Sequence, residues 1–292
     1  MRLLVLSVLL VYGFSFVITE VVDSFSTCSG FFLNGQPPVI PGILQNSVSQ
    51  DNNRYKLICQ KYQNAYKFAT LYDTTEKIPV FSAYRYTGSF TGRPHISWMI
   101  EPQLETLDAD MREPCVNQAF PGDYWTQNTL NRGHLFPNGH AADLITAKST
   151  FTLTNIVPQY ASFNNGSWGE MEQRVRSIMH SHCRDKDNAD NILAYVLTGA
   201  VASQAKLLNK RVNIPSNMWT VFCCYNHSTS TWVSQAHWAE NKDQQNEVTI
   251  NAKNLDRFQE FMSRKYGSGS ILFDVDCSNF LKLNEGQDDK QE

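Results

Sequence analysis

Asn131-Arg132-Gly133-His134-Leu135-Phe136-Pro137-Asn138-Gly139-His140 packs an arginine and two histidines into a Gly/Pro-rich stretch. A second segment, Thr154-Asn155-Ile156-Val157-Pro158-Gln159, is followed by Asn164 and Glu172. A hydrophobic core would not select these polar residues. On residue chemistry alone, they stand either as hydrogen-bonding loop residues or as a site. Residues 167–183 have helical periodicity. Ser167 and Glu170 have the Ser-x-x-Glu spacing of a capping box. Trp168, Met171, Val175, Ile178 and His182 recur at three- and four-residue steps and form one apolar stripe. Glu172, at i+4 from Trp168 and i−3 from Val175, points along that stripe toward the protein. A carboxylate placed there needs a partner or a metal.

Around this centre the chain reads mainly as strands. Ile78–Tyr86 is a strand with a turn at Gly88, and His95–Ile100 is a second strand-like run. Phe151–Val157 is β-branched and is expected to end at Pro158. Ile192–Leu197, Met218–Tyr225, Thr231–Trp238 and Ile271–Val275 follow as strands. Leu255–Tyr266 is a second helix, with Phe258, Phe261 and Met262 on its apolar face and Gly267 as its stop. Residues 28–75 are mixed and turn-rich, and 104–130 are irregular. Strands outnumber helices without regular alternation, which makes the class α+β. The expected organisation is one domain over 20–283 and a disordered polar tail over 284–292.

The 292 residues are 42% hydrophobic and 18% charged, a globular composition that excludes collagen, coiled coil and wholesale disorder. Arg2, the apolar run from Leu3 to Ile18, and Thr19 describe a secretory signal peptide over residues 1–19, with Ser26 as another cleavage point. At about 17 residues the uncharged run is at the short limit for spanning a bilayer. Secretion agrees with seven cysteines, Cys28, Cys59, Cys115, Cys183, Cys223, Cys224 and Cys277, none in a Cys-x-x-Cys pair. Three disulfides and one odd thiol are expected. Cys28 with Cys59, and Cys277 with Cys223 or Cys224, are the pairings considered. Asn165 and Asn226 head glycosylation sequons, Asn226 being the better candidate because it lies between two strand-like runs. The formal charge of −3 excludes a chain that binds polyanions over its whole surface.

Taken together, the two segments resemble the DNA/RNA non-specific endonuclease family, whose fold carries a ββα-metal (His-Me finger) site. Arg132-Gly133-His134 matches the family's Asp-Arg-Gly-His, and Asn155-Ile156-Val157-Pro158-Gln159 matches its Thr-Asn-x-x-Pro-Gln. Asn164, nine residues past Asn155, and Glu172, eight further on, match its metal-site spacing. The resemblance covers residues from about 28 to 280. It implies a central antiparallel sheet with flanking helices, DNA and RNA as substrates, and Mg²⁺ as cofactor, with Mn²⁺ or Ca²⁺ in its place. It implies His134 as general base, Asn164 as the direct metal ligand, Arg132 and Arg93 (Arg85 next) on phosphate, and Asn155 as support for the histidine loop. Eight helical positions span about 12 Å, too far for Asn164 and Glu172 to ligate together. Glu172 is therefore placed behind a metal-bound water. The family's leading Asp is Asn131 here, which puts the rate in doubt more than the mechanism. With the acidic net charge, Asn131 supports the alternative of a nuclease-like binding module with little or no turnover. A glycan on Asn165 would obstruct the site, so Asn165 is expected to be unmodified. A zinc site on His134 and His140 lacks a third and fourth ligand.

Overall fold

The computed structural model describes residues 20–105, 115–125, 129–245, 248–273 and 277–282. The expected signal segment and the polar tail lie outside the described residues. Among the described residues no helix is long and apolar enough to cross a membrane.

An eight-stranded sheet organises the chain. In chain order its strands are β1 (Glu20–Val22), β4 (Tyr55–Tyr62), β5 (Ala65–Asp73), β6 (Ile78–Tyr86), β9 (Ala194–Val201), β12 (Asn217–Asn226), β13 (Thr231–Glu240) and β14 (Asn279–Phe280), and neighbours follow that same order across the sheet. All pairs are antiparallel except β13 with β14. Short ribbons pair β2 (Leu44–Gln45) with β3 (Val48–Ser49) and β10 (Leu207–Leu208) with β11 (Val212–Asn213). A third ribbon, β7 (Leu130–His134) with β8 (Ile156–Tyr160), carries the first motif and most of the second. The helices are α1 (Leu144–Ser149), α2 (Ala161–Asn165), α3 (Ser167–His182) and α4 (Leu255–Tyr266).

Period-two alternation gives the sheet two apolar faces. On β6, Tyr84 and Tyr86 face the cluster built on Trp168, Met171, Val175 and Met179 of α3. Phe81 and Ala83 face the cluster built on Phe258, Phe261 and Met262 of α4. Helix α4 begins at Asn254, whose side chain accepts a hydrogen bond from Arg257 N at 3.0 Å, a cap worth about 1 kcal/mol. It ends at Gly267, whose φ of +95° suits glycine.

The sheet faces also decide the disulfides. Adjacent Cys223 and Cys224 on β12 point to opposite faces. Cys224 pairs with Cys183 at the end of α3, and Cys223 pairs with Cys277. Cys28 with Cys59 ties the N-terminal arm to β4. Cys115 lies outside these three bonds and is buried.

Several sequence expectations are corrected. The turn-rich reading of 28–75 misses β4 and β5, whose hairpin turns through Gln63 and Asn64 at φ +49° and +62°, the positive-φ pair that a two-residue turn requires. His95–Ile100 is not a strand; Met99 makes one isolated bridge, to Thr152. Phe151–Val157 is broken by a 3₁₀ turn at Leu153–Asn155, and the strand that follows runs through Pro158 rather than ending there. A two-stranded ribbon has free edges, so one of its positions can hold a residue without an N–H. Ile271 only bridges Val39, and 274–276 lie outside the described residues. The capping box does not form: Gly166 is the N-cap of α3, and Ser167 Oγ donates to Gln244 Oε1 at 2.7 Å. Asn226 is only 5% exposed at the end of β12, and its Oδ1 accepts from Ser228 N. That burial sits poorly with its selection as the better glycan acceptor.

Candidate active site

Ribbon β7–β8 followed by α2 and α3 forms a β-β-α unit against the sheet. The register pairs Arg132 with Pro158 and His134 with Ile156, so Arg132 and His134 share one face. Asn131 and Gly133 occupy the other face, opposite Gln159 and Val157. Gly133 is required there. A Cβ on it would lie 2.0 Å from Gln159 Oε1 and 2.7 Å from Gln159 Cβ. The buried Gln159 amide has no hydrogen-bond partner among the described residues.

Asn155 holds the histidine loop. It is fully buried, and its Oδ1 accepts from Ser82 Oγ at 2.9 Å and Phe136 N at 3.0 Å. Its Nδ2 donates to Phe136 O at 3.1 Å and Thr150 O at 3.0 Å. His140 pins the other end. Since Glu172 O can only accept, Nε2 donates to it at 3.0 Å, and Nδ1 accepts from Tyr84 Oη at 2.9 Å. Burial lowers this imidazole to about 4. With both nitrogens committed, His140 has none to give to a zinc ion.

His134 differs. Its Nε2 is buried and has no partner among the described residues. Its ring lies 5.2 Å from both Trp98 and Phe151. Burial, with the charge of Arg93 adding, lowers its pKa to about 3, so the imidazole is neutral at physiological pH. The Arg132 guanidinium lies over Tyr124 and Trp98, and its Nη2 donates to Pro121 O at 3.1 Å, while its buried Nε has no partner among the described residues. The Arg93 guanidinium lies 5.0 Å over Phe151. Asn138 Nδ2, donating to Gly92 O at 2.9 Å, draws the Arg93 loop to the motif. Arg85 is exposed on β6, between Tyr84 and Tyr86, which face the other way.

Asn164 sits in the last turn of α2, just before the chain breaks at Gly166. A Cβ on Gly166 would lie 2.5 Å from Ser162 O, and one on Gly169 2.8 Å from Asn164 O, so glycine allows α3 to start tight against α2. Asn164 Nδ2 and Asn131 Nδ2 both donate to Asn165 Oδ1, at 3.4 and 3.5 Å. Asn131 thus belongs with the proposed metal ligand rather than with the face of His134. Exposed Asn165 is its neighbour. On α3, Glu172 Oε1 accepts from Trp168 Nε1 at 2.9 Å, and burial raises the carboxyl to about 8. A cation beside it would favour the ionised form. Among the described residues no three His, Cys, Asp or Glu side chains cluster as a metal site. The available donors, the Asn164 amide oxygen and the Glu172 carboxylate, are hard oxygens that suit a cation keeping most of its water.

The sequence did not single out Trp98, Phe151, Tyr124 or Arg176. Arg176 lies one helical turn beyond Glu172, and its Nη1 is 3.5 Å from where a Cβ on Gly139 would stand. Its i+4 spacing from Glu172 was the available signal.

A model of the DNA/RNA non-specific endonuclease family matches residues 49–265. The human Endonuclease domain-containing 1 protein is 30% identical over 221 residues, 71% of this chain and 41% of that protein. Its mouse counterpart is 30% identical over 213 residues, 68% of this chain and 39% of that protein. The chain therefore spans well under half the length of these relatives. A nuclease of Serratia marcescens is 31% identical over 132 residues, 43% of this chain and 44% of that one. The crystal structure of the EndoG/EndoGI complex aligns with TM-score 0.55 and 16% identity, covering 75% of this chain and 89% of that chain. At that identity the likeness is one of fold: mixed α+β around a large antiparallel sheet.

Proposed function

The chain belongs to the DNA/RNA non-specific endonuclease family, and on that premise we propose that it is a secreted, Mg²⁺-dependent endonuclease hydrolysing DNA and RNA with little sequence preference. The observation that carries this reading is the neutral His134 imidazole, with its Nε2 unpaired and an arginine on each of the two rings beside it. A buried ring nitrogen without a partner has hydrogen-bonding capacity for water or phosphate.

In this reading His134 accepts the proton of the attacking water at Nε2. Arg132 offers its unpaired Nε to a phosphate oxygen, and Arg93 its exposed guanidinium. Asn155 and His140 hold the two ends of the loop so that the base does not drift. Asn164 would hold Mg²⁺ directly and Glu172 would hold it through water, and the ion would supply charge stabilisation at the phosphate and acidity for the leaving 3′-oxygen. Three disulfides suit an oxidising compartment. Signal cleavage after Thr19 suits the mature fold better than cleavage at Ser26, which would remove β1 and the fully buried Phe25.

Purified protein is incubated with plasmid DNA and total RNA, with Mg²⁺ or EDTA, beside His134→Ala. Cleavage by the wild type in Mg²⁺ alone is expected. Equal cleavage by wild type and variant would overturn the role of His134. Binding without cleavage under varied metal and pH would replace the enzyme by a nuclease-like binding module, which Asn131 favours.

A further inference from the structure

Three rings meet at the site: Trp98 and His134 at 5.2 Å, His134 and Phe151 at 5.2 Å, Trp98 and Phe151 at 5.1 Å. The isolated bridge explains why they meet. Met99 N donates to Phe151 O at 2.9 Å and Leu153 N to Met99 O at 2.8 Å, which sets Trp98 beside Phe151. Each of the two rings beside His134 also carries one guanidinium, Arg132 at 5.5 Å from Trp98 and Arg93 at 5.0 Å from Phe151. We propose that Trp98 and Phe151 are positioning residues for the reaction, a shared aromatic seat that fixes His134 and carries one phosphate-binding arginine on each of its two rings.

The choice of aromatic rings follows from charge. Among the described residues neither arginine has a carboxylate partner. A carboxylate would hold a guanidinium still but would cancel the charge that phosphate needs. A ring face holds it by its quadrupole and leaves the positive charge intact. The same rings desolvate the covered part of the half-buried imidazole, and the charge of Arg93 opposes its protonation. The charged groups set around His134 are Arg93, from the loop before Trp98, and Arg132, from its own strand beyond Trp98. Among the described residues no acidic side chain contributes to the shift of His134.

The inference rests on the nuclease reading, and the test separates the two. The His134 imidazole is titrated by NMR, its signal identified by loss in His134→Gln, in wild type, Trp98→Leu, Phe151→Leu and Trp98→Phe. The pH dependence of kcat/KM is measured on the same proteins. In both leucine variants the titration midpoint is expected to rise by at least about one pH unit toward the ordinary histidine value. The acid limb of the rate profile rises with it, and KM for DNA increases. Trp98→Phe keeps the wild-type profile. A rate loss equal at every pH, with the His134 titration unmoved, would mean that the rings only pack, and would overturn the proposal. Should the leucine variants not fold, Arg93→Gln alters an exposed side chain, and an unmoved His134 midpoint there counts against the seat. If the wild type cleaves nothing, the nuclease reading fails while the NMR midpoints still decide the seat.

Discussion

Replacing Asn155 by leucine keeps most of the side-chain volume and removes all of its hydrogen bonds. Four are made in the native protein, at 2.9 to 3.1 Å, with no exposure to solvent. Ser82 Oγ keeps a partner in Thr70 Oγ at 3.0 Å. Phe136 N, Phe136 O and Thr150 O do not, and each is left buried by an apolar neighbour. An unsatisfied buried group costs about 1–3 kcal/mol, so Asn155→Leu should lose about 3 kcal/mol at the least. That is a large part of the roughly 5–15 kcal/mol by which a domain is stable. Urea unfolding followed by tryptophan fluorescence measures it. Because the freed carbonyl and N–H of Phe136 belong to the loop that carries His134, cleavage should fall even at temperatures where the variant is folded. A loss below about 1 kcal/mol with unchanged cleavage would refute this account of the loop.

Glu172→Gln tests the buried carboxyl. Its raised folded-state pKa, about 8 against 4.5, means that its contribution to stability is complete below pH 4.5 and lost as pH rises through 8. Metal-free Glu172→Gln should therefore be more stable than wild type near pH 8 in thermal melts, while losing Mg²⁺-dependent cleavage; equal melting at pH 5 and 8 for both proteins would contradict this. Gly133→Ala should destabilise by about 2 kcal/mol and impair cleavage. Adding Gln159→Ala should not restore either, because the Gln159 Cβ itself lies 2.7 Å from the new methyl group; rescue by the double variant would show that the ribbon yields. Asn131→Asp places a carboxylate beside Asn164 and Asn165 and should lower the Mg²⁺ concentration needed for half-maximal cleavage, read from a metal titration.

Much of this protein is local and therefore legible in the chain. Helix α4 emerged with its bounds because its apolar stripe and its Gly267 stop are properties of neighbouring residues. Strand β6 emerged for the same reason, as did the inward turn of Glu172, which needs only helical periodicity. The family resemblance rested on motif order and spacing, and these are sequence facts. Strand β4 was obscured because Lys56, Gln60 and Lys61 interrupt its pattern, and β5 because Lys67 follows an exposed Ala65 and its last six residues are all buried. A strand inside a sheet covered on both sides need not alternate visibly.

The tertiary structure decided whatever depends on residues far apart in the chain. Only the alternation of β12 within a packed sheet sends Cys224 to Cys183 and Cys223 to Cys277. Only the β7–β8 register separates Asn131 from the face of Arg132 and His134 and sets it with Asn164 and Asn165. The sequence named His134 and Arg132, and named Arg93 by analogy. That a tryptophan and a phenylalanine meet beside them follows from one backbone bridge between Met99 and Thr152, a contact across 53 residues that no local pattern encodes.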